Sequence, residues 1–260
     1  MAIFVVVGAG ATGRAVTEEL TSAGHDVRVV TRSGAANLPA GAVSFSGSAS
    51  DVAFLSSVAT GTQAIFNCAN PPYHRWLTEW PPIANALLQV AAASGATLIT
   101  LSNLYAYGQP TGPMAPHDPL RSTLPKAQVR AAMWREAAEW HADGRLQATE
   151  VRASDFIGAG SQSLFERAIP AMRRGKTVTM ISPLDTVHSW TYVRDVARTL
   201  VAAATNPSAL GRPWHAATNT PKTIRQVICD LAHEGKIAES SIRVIPPLVL
   251  RGMGLVSPLM

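Results

Sequence analysis

Cysteine is nearly absent from this chain of 260 residues: only Cys68 and Cys229 occur, far apart and each in an apolar context. No disulfide framework is expected; two buried free thiols suit a reducing cytoplasm. Long apolar runs are missing too, since nothing approaches the ~20 residues of a membrane span. The apolar start "AIFVVV" is short, runs into glycines and follows no basic segment, unlike a signal peptide. The expectation is a soluble, cytoplasmic protein. Charge is sparse at 15%, and although the formal net charge is +5, lysine and arginine are scattered. No basic stripe of the kind used on nucleic acid forms, which leaves at most mild attraction for small anions. The seven histidines show no metal spacing, and "HEGK" from His233 lacks a second histidine, so no metal is expected. No G-x-S-x-G elbow occurs, and Glu136 and Glu139 read as solvated helix carboxylates.

What is present is alternation. The β-branched run up to Val7 suits a strand buried on both faces. Helical spacing follows from Ala11 to Ala23, and Gly24 stops it before a second strand, Asp26 to Val30. Strands are then expected at Gln63–Ala69, Thr97–Ser102 and Ala148–Ala153, with helices at Trp76–Ser94 and about Thr123–Ala142. Such alternation predicts an α/β fold, a Rossmann doubly wound parallel sheet, over residues 1–153. From Ser154 prolines interrupt shorter elements, including helices near Val193–Ala204 and Thr223–His233. Residues 154–260 are expected to form a smaller mixed lobe that contributes late sheet elements and a substrate pocket over the C-terminal edge of the sheet. The chain stops on the apolar "VLRGMGLVSPLM" without a polar cap, from which a missing native C-terminal segment is expected.

Gly8, Gly10 and Gly13 form G-x-G-x-x-G between the first strand and helix. Glycines there permit a tight turn, close backbone approach to a pyrophosphate and tight helix–strand packing. The helix start at Ala11 and Thr12 then offers free N–H groups to phosphate. A dinucleotide-binding loop is the expectation, and the βαβ setting makes the motif specific. An NAD site usually carries an acid about 20 residues on, at the end of the second strand. That stretch reads Thr31, Arg32, Ser33, with no acid. Arg32 can pair with a 2′-phosphate while Thr31 and Ser33 donate hydroxyls, so NADP is expected over NAD; the alternative for Arg32 is a solvated loop cation.

The "GAGATG" loop, "SNLYAYG", "VRASDFIGAG" and "HSWTYVRDVARTLVAA" together resemble the extended and atypical short-chain dehydrogenase/reductase superfamily, more narrowly its NAD(P)-dependent epimerase/dehydratase-like proteins. The resemblance spans most of the chain. It implies chemistry by a serine or threonine, a Tyr-x-x-x-Lys pair on a helix, and the nicotinamide, with the tyrosine as acid/base. This chain departs from that pattern. Asn103 stands at the hydroxyl position, and Ser102, one residue earlier, should face away. The following helix has no tyrosine; its nearest match is Lys126-x-x-x-Arg130. Arg130 is left with a ribose-holding or electrostatic role, and Lys126 could be an acid only if its pKa were strongly lowered.

Around that gap, Tyr105 either supplies a phenol from a new backbone position or packs the pocket wall, and Asn103 either donates to a substrate oxygen or is structural. Tyr107 is expected to be structural. Ala69 and Asn70 are expected beside the cofactor, and Pro71, Tyr73 and Trp76 at the pocket wall. Trp76, Trp134, Trp140 and Trp190 are expected to pack core or lobe. His188 and Trp190 stand where relatives often touch substrate, and Arg152 either meets cofactor or substrate or forms a buried ion pair with Asp155 or another acid. Two functions follow: an atypical NADP-dependent oxidoreductase or epimerase-like enzyme on a small carbonyl or alcohol, or a non-catalytic, NmrA-like dinucleotide sensor or regulator. Neither involves nucleic acid or membrane.

Overall fold

The computed structural model describes residues 1–181, 183–238 and 240–245. The terminal run Val249–Met260 lies outside them. The chain divides into two compact units, one of Met1–Ser154 with Val193–Ala217, the other of Asp155–Tyr192 with the chain from Thr218 on.

The first unit is built around a seven-stranded sheet. In chain order its elements are β1 (Ile3–Val7), α1 (Ala11–Ser22), β2 (Asp26–Thr31), β3 (Ala42–Ser46), α2 (Val52–Ala59), β4 (Ala64–Asn67), α3 (Trp76–Ser94), β5 (Thr97–Asn103), α4 (Pro125–Ala142) and β6 (Ala148–Ala153). The second unit then contributes β7 (Asp155–Ile157), α5 (Leu164–Met172), β8 (Val178–Met180), β9 (Val187–His188) and β10 (Trp190–Tyr192). The chain returns to the first unit for α6 (Val193–Thr205) and β11 (Pro213–His215). It ends its described course in the second with β12 (Lys222–Thr223), α7 (Ile224–Glu234) and β13 (Ile242–Val244).

The large sheet runs β11-β6-β5-β4-β1-β2-β3, and every neighbouring pair is parallel. This is the doubly wound order, which reverses direction between β1 and β4. Val7 stands level with Val30 on β2 and with Asn67 on β4, so the ends of these strands open one crevice. Val5 and Val7 pack into the core that α2 and α3 cover, while the alternate residues Phe4 and Val6 are buried as well. Burial on both faces explains the unbroken apolar strands; β1, β4 and β6 have no exposed position.

The long elements fall within two residues of their sequence expectations, and α3 matches at both ends. β3 and α2 do not appear among those expectations. β3 is an edge strand with no buried residue, and α2 is only eight residues long, started by the Asp51 carboxylate accepting the Phe54 N–H at 3.0 Å. One expectation is overturned: Cys229 is exposed, not buried. α7 buries Ile224, Val227, Ile228 and Ala232, and position 229 falls off that stripe. Cys68 is buried, and burial pushes its thiol up to about 12.

The second unit has its own core, in which Phe165, Met172, Trp190 and Ile228 are buried together. Among the described residues its strands pair in twos, β10 with β7, β12 with β9 and β13 with β8. No helix among the described residues is long and apolar enough to cross a membrane.

Candidate functional site

The crevice at the ends of β1, β2 and β4 is a cavity of about 490 Å³. One wall is the glycine turn. Gly8 has φ +100°, and a Cβ there would meet the Cys68 carbonyl oxygen at 2.5 Å. A Cβ on Gly13 would lie 1.9 Å from the Gly8 carbonyl oxygen. Both glycines are therefore demanded by the fold itself. Gly10 differs: its φ of −69° suits any residue, and a Cβ there would meet nothing within 4 Å. Gly10 also caps α1, and as a glycine it brings no side chain to bond the helix start. The first-turn N–H groups, with Ala11 and the buried Thr12 in that turn, lack carbonyl partners by the geometry of any helix start.

Thr31, Arg32 and Ser33 form the second wall, and Ala69, Asn70 and Pro71 a third. The buried Oγ1 of Thr31 has no hydrogen-bond partner among the described residues. Thr78, Glu79 and Pro82 of α3 close the far side. The open face at Gly10, a helix start capped without a side chain and the orphaned Thr31 hydroxyl suit a phosphate-bearing nucleotide.

The Pro71 wall leads to an aromatic group. Its carbonyl accepts the Trp76 indole N–H at 3.0 Å. The Tyr73 ring stands edge-on to Trp76 at 5.0 Å, and the Tyr105 ring lies 6.0 Å from Trp76 at a 30° tilt. Lys126 lies over the Tyr73 ring, Nζ 3.4 Å from its centroid. Four residues expected near the chemistry, Tyr73, Trp76, Tyr105 and Lys126, are thus gathered together. Tyr105 and Tyr73 are 46% and 49% exposed. Asn103 turns inward on the backbone, its Oδ1 accepting the Tyr105 N–H at 3.1 Å.

Arg130 is buried below this group. Its guanidinium carbon lies 4.5 Å from the Trp80 ring centroid, and Nη2 donates to the Leu101 carbonyl. Burial pulls it down to about 10 against the pull of the Glu150 charge, and Nε has no partner among the described residues. His188 and Trp190 belong to the second unit, their rings 4.5 Å apart. His188 faces Asp155 at 3.1 Å, and the buried Trp190 donates its indole N–H to the Lys222 carbonyl at 2.8 Å.

A charged cluster lies at the ends of β5, β6 and β11, in which Arg152 and Tyr107 are joined by Glu150 and His215, two residues the sequence did not single out. Glu150 and Arg152, each 2% exposed, pair at 2.6 Å. Of the two readings of Arg152, it is the buried ion pair that forms, with Glu150 and not with Asp155, which faces His188 instead. Arg152 also donates to the Tyr107 hydroxyl at 2.7 Å and to the Pro116 carbonyl at 2.9 Å, and the Tyr107 hydroxyl meets His215 Nε2 at 2.9 Å. Burial pushes the Glu150 carboxyl up against the opposing pull of Arg152, while burial and then the Arg152 charge hold His215 low. The signal was two charges spaced i, i+2 in "ATEVRA", which strand alternation sets on one face. Among the described residues no group of three or more His, Cys, Asp or Glu could hold a metal ion.

Solved structures share this architecture. A UDP-glucose 4-epimerase from Thermotoga maritima, described with UDP-glucose, is 19% identical, with a TM-score of 0.80 over 94% of this chain and 86% of its own. A dTDP-glucose 4,6-dehydratase from Bacillus anthracis in complex with NAD is 17% identical, with a TM-score of 0.83 over 94% of this chain and 84% of its own. A UDP-glucuronic acid 4-epimerase from Bacillus cereus in complex with NAD is 15% identical, with a TM-score of 0.79 over 94% and 87%. At these identities the likeness is one of fold. No curated protein matches the chain in sequence. A family model does, over residues 3–216, and with it the chain belongs to the NAD-dependent epimerase/dehydratase family.

Proposed function

We propose that the protein is an oxidoreductase or epimerase-like enzyme that binds NADP in preference to NAD and acts on a small carbonyl or alcohol substrate. The observation that carries this reading is Gly10: a glycine that no close contact demands, facing open space at a helix start it caps without a side chain. In this reading the first turn of α1 holds the pyrophosphate, Thr31 gives its unpartnered hydroxyl to the nucleotide, and Arg32 pairs with the 2′-phosphate. The structures of similar fold described with NAD and with UDP-sugars support the same cofactor class and suggest sugar nucleotides among the first substrates to try.

A bound nicotinamide would supply or accept hydride. The protein must then move a proton at the reacting oxygen. Tyr105 is our candidate, a phenol beside Trp76, and Lys126, whose ammonium lies over the Tyr73 ring that stands edge-on to Trp76, brings positive charge to the same aromatic group. Arg130 holds the floor of the site by its bond to Leu101 and its stacking on Trp80.

The test is NADPH oxidation with aldehydes and ketones, NADP+ reduction with alcohols, and product analysis for epimer or dehydrated sugar with UDP- or dTDP-sugars and added cofactor. Each compares wild type with Tyr105→Phe and Lys126→Ala. We expect about a 100-fold or greater loss of turnover in Tyr105→Phe and a smaller loss in Lys126→Ala, both with unchanged NADPH affinity. Activity that neither substitution alters overturns the assignment. Tight NADPH binding without turnover on any substrate would favour the sensor role.

A further inference from the structure

The end of β2 lacks an acid, yet the cleft beside it does not. Glu79 lies in the first turn of α3 and shares the cavity with Arg32. Its Oε2 is 3.8 Å from Arg32 Nη1, and its Oε1 accepts from Arg75 Nη1 at 3.1 Å. A carboxylate is thus held between two guanidiniums at the point where Arg32 would read a 2′-phosphate. The Arg32 side chain is 69% exposed and its contact with Glu79 is long, so the pair is open to exchange.

Charge then decides what each nucleotide meets. A phosphate monoester carries about −1.5 to −2 at neutral pH. It can engage Arg32 only by drawing that cation from Glu79, and it arrives beside a negative charge. A ribose with a free 2′-hydroxyl meets no such repulsion and finds in Glu79 the kind of acceptor that dinucleotide folds normally place on the second strand. We infer that Glu79 is a selectivity-determining residue that opposes Arg32: Arg32 draws the site toward NADP, and Glu79 restrains that preference and keeps NAD acceptable. The inference rests on the dinucleotide reading of the cleft.

The experiment is titration of NADPH and NADH into the full chain for wild type, Glu79→Gln, Arg32→Gln and the double variant. Gln is close in shape to Glu at this partly exposed position, and thermal melting checks that each variant is folded. Glu79→Gln should tighten NADPH about fivefold and leave NADH unchanged or weaker. In the Arg32→Gln background the gain should shrink, because the competition for Arg32 is gone. Equal shifts for the two cofactors, or none, overturn the role of Glu79 while leaving the dinucleotide site standing. Wild type that binds neither cofactor removes both.

Discussion

Removing one side chain exposes how the ends of β5, β6 and β11 are held. Arg152 neutralises the buried Glu150 and donates to both Tyr107 and Pro116. Arg152→Met would leave that carboxylate in the interior without its closest cation, a change that typically costs about 3–5 kcal/mol. The pH dependence has a definite sign. Burial already raises the Glu150 carboxyl above its ordinary value, and loss of Arg152 raises it further. A carboxyl with a raised folded value supports the fold below its unfolded value and loses that support as pH climbs through the raised one. Denaturant unfolding at about pH 5 and about pH 8 should therefore find the larger deficit of Arg152→Met at the higher pH. A deficit independent of pH would mean that lost packing, not the stranded carboxyl, sets the cost. The charged pair is readable in "ATEVRA" once both faces of that strand are known to be buried. Glu79 is not, because its partner Arg32 stands 47 positions earlier and only folding brings α3 against the end of β2.

At the scale of elements, α3 is the least regular of the long helices, since Pro81 and Pro82 lie inside it. Each removes a backbone donor and crowds the preceding turn. The helix survives through its buried stripe, Trp76, Trp80, Ala84, Leu87 and Leu88 among others, and the left-handed Gly95 that ends it. That stripe is why its limits were legible in sequence despite the prolines. Pro81 is exposed, so Pro81→Ala restores a backbone bond without disturbing the core. Less the entropy that proline removes from the unfolded chain, a gain of about 1–2 kcal/mol is expected, read as a raised melting temperature. An unchanged or lowered value would mean that the local backbone does not regain helical geometry. The strands that went unread, β3 and the short ones of the second unit among them, have two to five residues and little or no buried periodicity. Their existence depends on neighbours distant in sequence, not on local pattern.

For the molecule as a whole, the strand order and the glycine turn agree on one place, the reversal between β1 and β4. This level was the most legible, because buried parallel strands and G-x-G-x-x-G each leave a local mark on the sequence. The chemistry was less so: the helix position that holds tyrosine in the resemblance holds Lys126 here, and the aromatic group of Tyr73, Trp76 and Tyr105 forms only through tertiary packing. The central claim is that the cleft binds a nicotinamide dinucleotide at Gly10. Calorimetric titration of NADPH into wild type and Gly10→Ala, with melting curves for both, tests it most directly. The added Cβ meets no protein atom, so melting should fall only by the modest preference of an N-cap for glycine over alanine, while saturable binding of one nucleotide per chain in wild type should weaken about tenfold or more in the variant. Equal affinity in the two proteins, or no binding to wild type, would contradict the account.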